Sequence, residues 1–71
     1  MNKKEVDYTP LFQTLENRGV QLIELEKEYG WSPKVTSKFR KNENVSLSTL
    51  HDICEYLDVP IEKVVRINRG D

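Results

Sequence analysis

The sequence predicts a compact, all-α domain built from five helices. Two observations support this fold class. Three prolines, Pro10, Pro33 and Pro60, each precede a segment in which apolar residues recur with helical spacing. Proline is favoured at the first position of a helix, where its missing N–H costs nothing. In addition, no segment alternates apolar and polar residues for long and no Asn-Gly or Asp-Gly pair marks a hairpin, so we expect no β-strands.

The first two predicted helices cover about residues 10–18 and 21–29, and each is followed by a glycine. The apolar stripe of the first comprises Tyr8, Leu11, Phe12 and Leu15. That of the second comprises Leu22, Leu25 and Tyr29. These positions follow the i, i+3, i+4, i+7 pattern of an amphipathic helix. Thr9 is the expected N-cap of the first helix, and Gly19 and Gly30 supply left-handed stops.

The remaining three helices are predicted over about residues 33–41, 47–57 and 60–67. Ser32 is the expected N-cap of the third helix, and the fourth begins after Ser46. The expected inward-facing residues are Val35 and Phe39, then Leu47, Leu50, Ile53, Cys54 and Leu57, and finally Ile61, Val64 and Val65. The sequence thus divides into an N-terminal flexible segment (1–7), a folded domain (8–67) and a loose C-terminal end (68–71).

Length, net charge, apolar runs and cysteine content limit the classes of protein to which the chain can belong. The 71 residues correspond to one small domain, and the net charge of -1 gives no overall basic field, so any nucleic-acid binding has to come from a local cluster. No apolar run approaches the roughly 20 residues needed to span a bilayer, and no signal peptide is evident. The single cysteine, Cys54, cannot form an internal disulfide. We therefore expect a cytoplasmic protein.

The segment Tyr29-Gly30-Trp31-Ser32 joins the second and third predicted helices. A helix, a short turn that contains glycine and a second helix make up a helix-turn-helix. The turn requires a residue that accepts positive φ and then an apolar residue that fills the corner. Gly30 and Trp31 meet these requirements. The second helix of such a motif, which is the third predicted helix of this chain, enters the major groove of DNA with its N-terminal half.

Together with this turn, several later residues resemble the Cro- and lambda-repressor-like helix-turn-helix family, also called the xenobiotic-response-element type. The resemblance covers about residues 8–67, and a short bacterial regulator subfamily is especially similar. It is carried by Leu25, the Gly30-Trp31-Ser32 corner, Ser37, Phe39, Val45-Ser46-Leu47-Ser48-Thr49-Leu50, Ile53-Cys54 and Leu57-Asp58-Val59. The resemblance implies a five-helix domain that binds operator DNA, usually as a two-fold homodimer.

The resemblance also implies which residues face double-stranded DNA. Carried over by position, they are Gln21, Ser32, Pro33, Lys34, Ser37, Lys38, Lys41 and Asn44. The start of the second helix and the turn after the third would contact phosphates, and the third helix would lie in the major groove. For the homodimer, we expect a contact through Ile67, which lies off the inward stripe of the fifth helix. The alternative is that Ile67 covers the core at the frayed end of that helix.

The charge distribution favours DNA binding by location. Residues 34–41 contain four basic residues and no acid, whereas Glu24, Glu26 and Glu28 place acids on the second helix. Such a cluster is also typical of a solvated helix face. The sequence therefore indicates a DNA-binding transcriptional regulator, with a protein-interaction or anti-regulator module on the same fold as the alternative. We expect no enzyme, cofactor, metal or small-molecule ligand, and Trp31 is expected to be a core plug.

Two positions depart from the family pattern. Glu26 stands where the family has a small alanine between the helices, and Thr36 stands where it has a branched apolar residue facing the core. We expect the Thr36 hydroxyl to bond back to the Ser32 carbonyl or to remain unpaired. For Glu26 two arrangements remain open. Its carboxylate is either exposed to water or buried with Lys34 or Lys38 as its partner.

Overall fold

The computed structural model describes residues 5–68 and shows four α-helices, one short 3₁₀ helix and two short strands. In chain order the elements are β1 (Glu5–Asp7), α1 (Thr9–Arg18), α2 (Leu22–Tyr29), α3 (Pro33–Arg40), α4 (Leu47–Leu57), a 3₁₀ helix (Ile61–Lys63) and β2 (Arg66–Asn68). α2 packs against both α3 and α4, and the 3₁₀ helix packs against α1 and α4. Among the described residues, no helix is long and apolar enough to cross a membrane.

The predicted fifth helix is wrong. The segment expected to be helical over residues 60–67 forms one 3₁₀ turn and then enters β2. β2 pairs with β1 in an antiparallel sheet, with Val6 opposite Ile67 and Asp7 opposite Arg66. The expectation of no strands is therefore also wrong, and residues 5–7 of the expected flexible segment belong to this sheet. Residues 1–4 and 69–71 lie outside the described part of the chain.

Strands of three residues explain why both errors arose. A pattern of period two needs about four residues to become recognisable, and a helical pattern fits shorter apolar runs equally well. Val64 and Val65 do turn inward, and Val64 is fully buried, but Ile61 is exposed. The apolar residues of this segment therefore do not form the single buried stripe that a helix would have.

The helix ends follow from local backbone chemistry. Gly19 and Gly30 both adopt positive φ, at 67° and 70°, as the sequence predicts for left-handed stops. Asn42 and Asp58 take the same conformation after α3 and α4, where their short polar side chains tolerate it. Ser46 caps α4 by accepting the N–H of Thr49 at 3.2 Å.

The N-caps expected at the first and third helices behave differently. α1 begins at Thr9 rather than after it, and the Thr9 amide and hydroxyl both donate to the Asp7 carboxylate. Ser32 stands at the N-cap position of α3, but its side chain makes no capping hydrogen bond. The Ser32 hydroxyl is thus not used by the helix that it precedes.

A single core lies beneath all four α-helices. Its buried apolar residues are Tyr8, Leu11, Leu15, Leu22, Leu25, Phe39, Ile53, Leu57 and Val64. Tyr8 packs edge-on against Phe39 of α3, with ring centroids 4.8 Å apart, and its hydroxyl donates to the Glu43 carbonyl. Leu47, expected to face inward, is instead 73% exposed at the start of α4. The core thus anchors α3 from beneath and leaves its opposite face in solvent.

Candidate nucleic-acid interface

The α2-turn-α3 unit has the geometry of a helix-turn-helix. Gly30, at φ 70°, ends α2, and its N–H and that of Trp31 both donate to the carbonyl of Glu26. These two hydrogen bonds let the chain change direction within three residues, Gly30, Trp31 and Ser32, before α3 begins. The helix-turn-helix predicted from the sequence is therefore confirmed in its position.

Trp31 fills the corner between the helices. Its ring stacks near Tyr29 of α2, at a centroid distance of 6.0 Å, and lies 5.9 Å from Phe39 of α3. Its indole N–H donates to the Asp52 carboxylate on α4 at 3.3 Å. Trp31 is half-buried and packs against the core. The Trp31 side chain thus fills the corner of the turn and also links the turn to α4.

The exposed face of α3 forms a shallow groove, which we call the basic groove. It is lined by Lys34, Ser37, Lys38, Lys41 and Glu43. Lys34, Lys38 and Lys41 recur at i, i+4, i+7, so one helical face and its C-terminal end carry all three. Within residues 6–68, ion pairing is confined to Arg66 and Asp7. None of the three ammonium groups therefore forms an ion pair with a carboxylate of this part of the chain.

The structure brings together four of the eight residues predicted to face DNA. Lys34, Ser37, Lys38 and Lys41 line the basic groove, and Ser37 is the half-buried member of the set. Ser32 and Pro33 are exposed at the start of α3. Gln21 is exposed at the N-cap of α2, and Asn44 is exposed in the turn that follows α3. None of these four residues lines the basic groove.

Two residues near this face were not among the predicted site residues. Glu43 places a carboxylate in the basic groove. Arg40 lines a second groove together with Gln21, and apolar residues of α1 and α2 form its floor. The signal for Arg40 was available: it lies four residues after Thr36, and hence on the α2 side of α3. Glu43 gave no such signal, because it follows the end of the helix.

The two departures from the family pattern, Glu26 and Thr36, contact each other. Thr36 is buried, as its core-facing register predicts, and its hydroxyl donates to the Glu26 carboxylate at 2.6 Å. Both states expected for the Thr36 hydroxyl, a bond to the Ser32 carbonyl and an unpaired hydroxyl, are wrong, because it donates to Glu26 instead. Glu26 is half-buried and bonded to a hydroxyl, so neither arrangement expected for it, solvent-exposed or paired with a lysine, describes it.

Two other places contain side chains that can bind a metal ion or act as a nucleophile. His51, Asp52 and Glu55 lie close together on α4, with ligand atoms within 4.8 Å of one another. Asp52 already accepts the Trp31 indole N–H, and exposed polar side chains at this helical spacing are common without an ion. Burial raises the pKa of the Cys54 thiol, and the nearby Glu62 raises it further. A raised pKa keeps the thiol protonated and unreactive.

Comparison with known proteins agrees with this geometry. Residues 11–68 match the family model for the Cro/C1-type helix-turn-helix DNA-binding domain. A crystal structure of the transcriptional regulator VanUg is similar over 97% of this chain and 92% of that one, with 33% sequence identity and a TM-score of 0.88. No curated protein sequence matches the chain significantly. The resemblance drawn from the residue pattern is thereby confirmed.

Proposed function

The chain belongs to the Cro/C1-type helix-turn-helix DNA-binding domains, and on that premise we propose that it is a sequence-specific transcriptional regulator that places α3 in the major groove of double-stranded DNA. The basic groove supports this proposal most directly. Its three lysines and one serine share the exposed face of the helix that follows the turn. That face carries local positive charge in a chain of net charge -1.

The chemistry of the groove suits a DNA duplex. Lysine ammonium groups bind phosphate oxygens and the O6 and N7 acceptors of guanine, and a serine hydroxyl can donate to or accept from any base edge. The Ser32 hydroxyl, which does not cap α3, is available to a phosphate at the positive end of the helix. Gln21 and Asn44 would contact the backbone on either side of α3 and so fix its register.

The experiment compares two charge reversals. Lys38→Glu places a carboxylate in the basic groove and should abolish duplex binding at moderate salt while leaving helicity unchanged. Lys63→Glu makes the same change of charge in the 3₁₀ helix, which packs on α1 and α4, and should leave affinity within about twofold. Fluorescence anisotropy with a labelled duplex measures both. Circular dichroism checks that both variants are folded.

Equal affinities for the two variants would contradict the proposal. A loss of binding in both would mean that net charge, and not the groove, attracts DNA. An absence of duplex binding by the wild-type protein would favour the alternative from the sequence, a protein-interaction module on the same fold.

A further inference from the structure

Glu26 and Thr36 form a polar side-chain contact between α2 and α3. The Thr36 hydroxyl donates to Oε2 of Glu26 at 2.6 Å. Thr36 is 5% exposed and neighbours Phe39, which is fully buried, so this contact lies at the edge of the core. A hydroxyl that donates to a carboxylate makes a short, charge-assisted hydrogen bond. The contact is therefore among the stronger and more directional ones between these helices.

Glu26 also holds the turn through its backbone. Its carbonyl accepts the N–H groups of Gly30 and Trp31, the latter at 3.0 Å. One residue thus ends α2 through its carbonyl and reaches α3 through its carboxylate. A change in the side-chain contact would move α3 relative to a turn that stays fixed at Gly30.

We propose that the Glu26–Thr36 hydrogen bond is a positioning contact that sets the separation and angle between α2 and α3, and thereby which bases α3 reads. The inference rests on the proposed function, because it concerns the presentation of the basic groove to DNA. Neither residue lines that groove, so both act through the placement of α3.

The physical basis is the difference between polar and apolar contacts. Apolar packing is non-directional, so helices joined only by it settle where their side chains fit best. A hydrogen bond fixes the donor–acceptor distance and angle within narrow limits. In addition, a glutamate side chain between two helices holds them farther apart than an alanine would. Recognition residues need placement within about half an ångström, so this spacing decides which base edges Lys34, Ser37 and Lys38 reach.

The test uses two pairs of variants. Thr36→Val removes the hydroxyl and keeps the shape, whereas Thr36→Ser keeps the hydroxyl and serves as its matched control. The double variant Glu26→Ala/Thr36→Ile replaces the polar contact by an apolar one that needs no hydrogen bond. The probe is the duplex that the wild-type protein selects from a randomised library. Affinity, Tm and the α2–α3 angle from residual dipolar couplings are measured for each variant.

We expect Thr36→Ser to bind the selected duplex within about threefold of wild type and Thr36→Val to bind it less tightly. The double variant should keep its Tm within about 5 °C, because an apolar pair replaces the polar one. It should nevertheless lose about tenfold or more in affinity, as when one base contact is misplaced, and select a different sequence from the library. The α2–α3 angle should change in the double variant and in Thr36→Val.

Three results would overturn the inference. One is a double variant that selects the wild-type sequence with wild-type affinity. Another is an unchanged α2–α3 angle in both Thr36→Val and the double variant. If the double variant does not fold, equal affinities for Thr36→Val and Thr36→Ser would overturn it. Failure of the proposed function can be told apart from failure of this inference. If the protein is not a sequence-specific DNA-binding protein, the wild type selects no sequence from the library. The α2–α3 angle of the variants still tests the positioning role in that case.

Discussion

Glu43 is the acidic residue of the basic groove, and within residues 6–68 its carboxylate forms no hydrogen bond or ion pair. Its backbone carbonyl accepts the Tyr8 hydroxyl at 2.7 Å, and that contact is independent of the side chain. The carboxylate stands beside three lysines that we propose to face phosphates. A carboxylate in that position repels a phosphate, and it lowers the local positive charge. We therefore expect the Glu43 carboxylate to weaken DNA binding.

Glu43→Gln should tighten duplex binding by roughly two- to fivefold, which corresponds to the usual strength of an exposed charge interaction. The gain should diminish at high salt, because exposed charges are screened. Anisotropy titrations at two salt concentrations measure it. Glu62→Gln in the 3₁₀ helix is the matched control and should have no effect. Unchanged or weaker binding by Glu43→Gln would place Glu43 away from the phosphates.

Single residues also show what a sequence can reveal about this site. Comparison with the family pattern identifies position 26 as unusual and places Thr36 where a core-facing residue is expected. That the two side chains bond each other was not predictable, because helical spacing gives the direction of a side chain and not the distance across to another helix. For the same reason, the sequence does not predict that Arg40 and Gln21 line one groove.

At the scale of elements, the β1–β2 sheet is tied by a network around Asp7. Its carboxylate accepts the Thr9 hydroxyl at 2.7 Å, the Thr9 amide at 3.0 Å and the Arg66 guanidinium at 3.0 Å. The Thr9 hydrogen bonds, with help from Arg66, hold the pKa of Asp7 well below its usual range. The carboxylate is thus stabilised in its charged form by the folded arrangement.

This pKa shift predicts a pH dependence. A depressed folded-state pKa contributes stability above the unfolded-state value of about 3.9, and that contribution is lost as pH falls from there through the folded pKa. Asp7→Asn should therefore lower the Tm at pH 7. The difference from wild type should shrink below about pH 4. Thermal melts at several pH values measure it, and a constant difference across this range would show that the charge of Asp7 is not responsible.

The elements differ in how far the sequence determined them. Helices α1 to α4 were predictable because prolines and Ser46 mark where three of them start, because Gly19 and Gly30 mark two of their ends, and because each carries an apolar stripe. The sheet was not, since each strand has three residues and its partner lies about sixty residues away. Pairing at that separation leaves no local pattern, and the strand that replaced the fifth helix was missed for this reason.

For the whole molecule, the open question is the number of copies that bind one site. A single α3 reads few base pairs, and a two-fold pair of such helices would sit about 34 Å apart on DNA. Ile67 on β2 is 54% exposed and pairs across the sheet with Val6. An exposed isoleucine on a short two-stranded sheet is a surface that a second copy could cover.

Ile67→Asp should convert a homodimer into a monomer and weaken binding to a two-fold site, because a charge replaces the apolar contact. Ile61→Asp is the matched control, since Ile61 is also exposed, at 44%, but lies in the 3₁₀ helix. Sedimentation of both variants, free and with duplex, measures the effect. A monomeric wild-type protein on DNA, or identical behaviour of the two variants, would contradict a dimer through β2.

A salt titration of wild-type binding to a duplex shows whether the basic groove contacts phosphates. If the three lysines of the basic groove each neutralise one phosphate, they contribute about -2.7 per protomer to the slope of log K against log salt concentration. Lys38→Gln should then reduce the magnitude of that slope by about 0.9 per protomer. A slope near zero for the wild-type protein, or an unchanged slope for Lys38→Gln, would contradict the assignment of the basic groove as the DNA-binding surface.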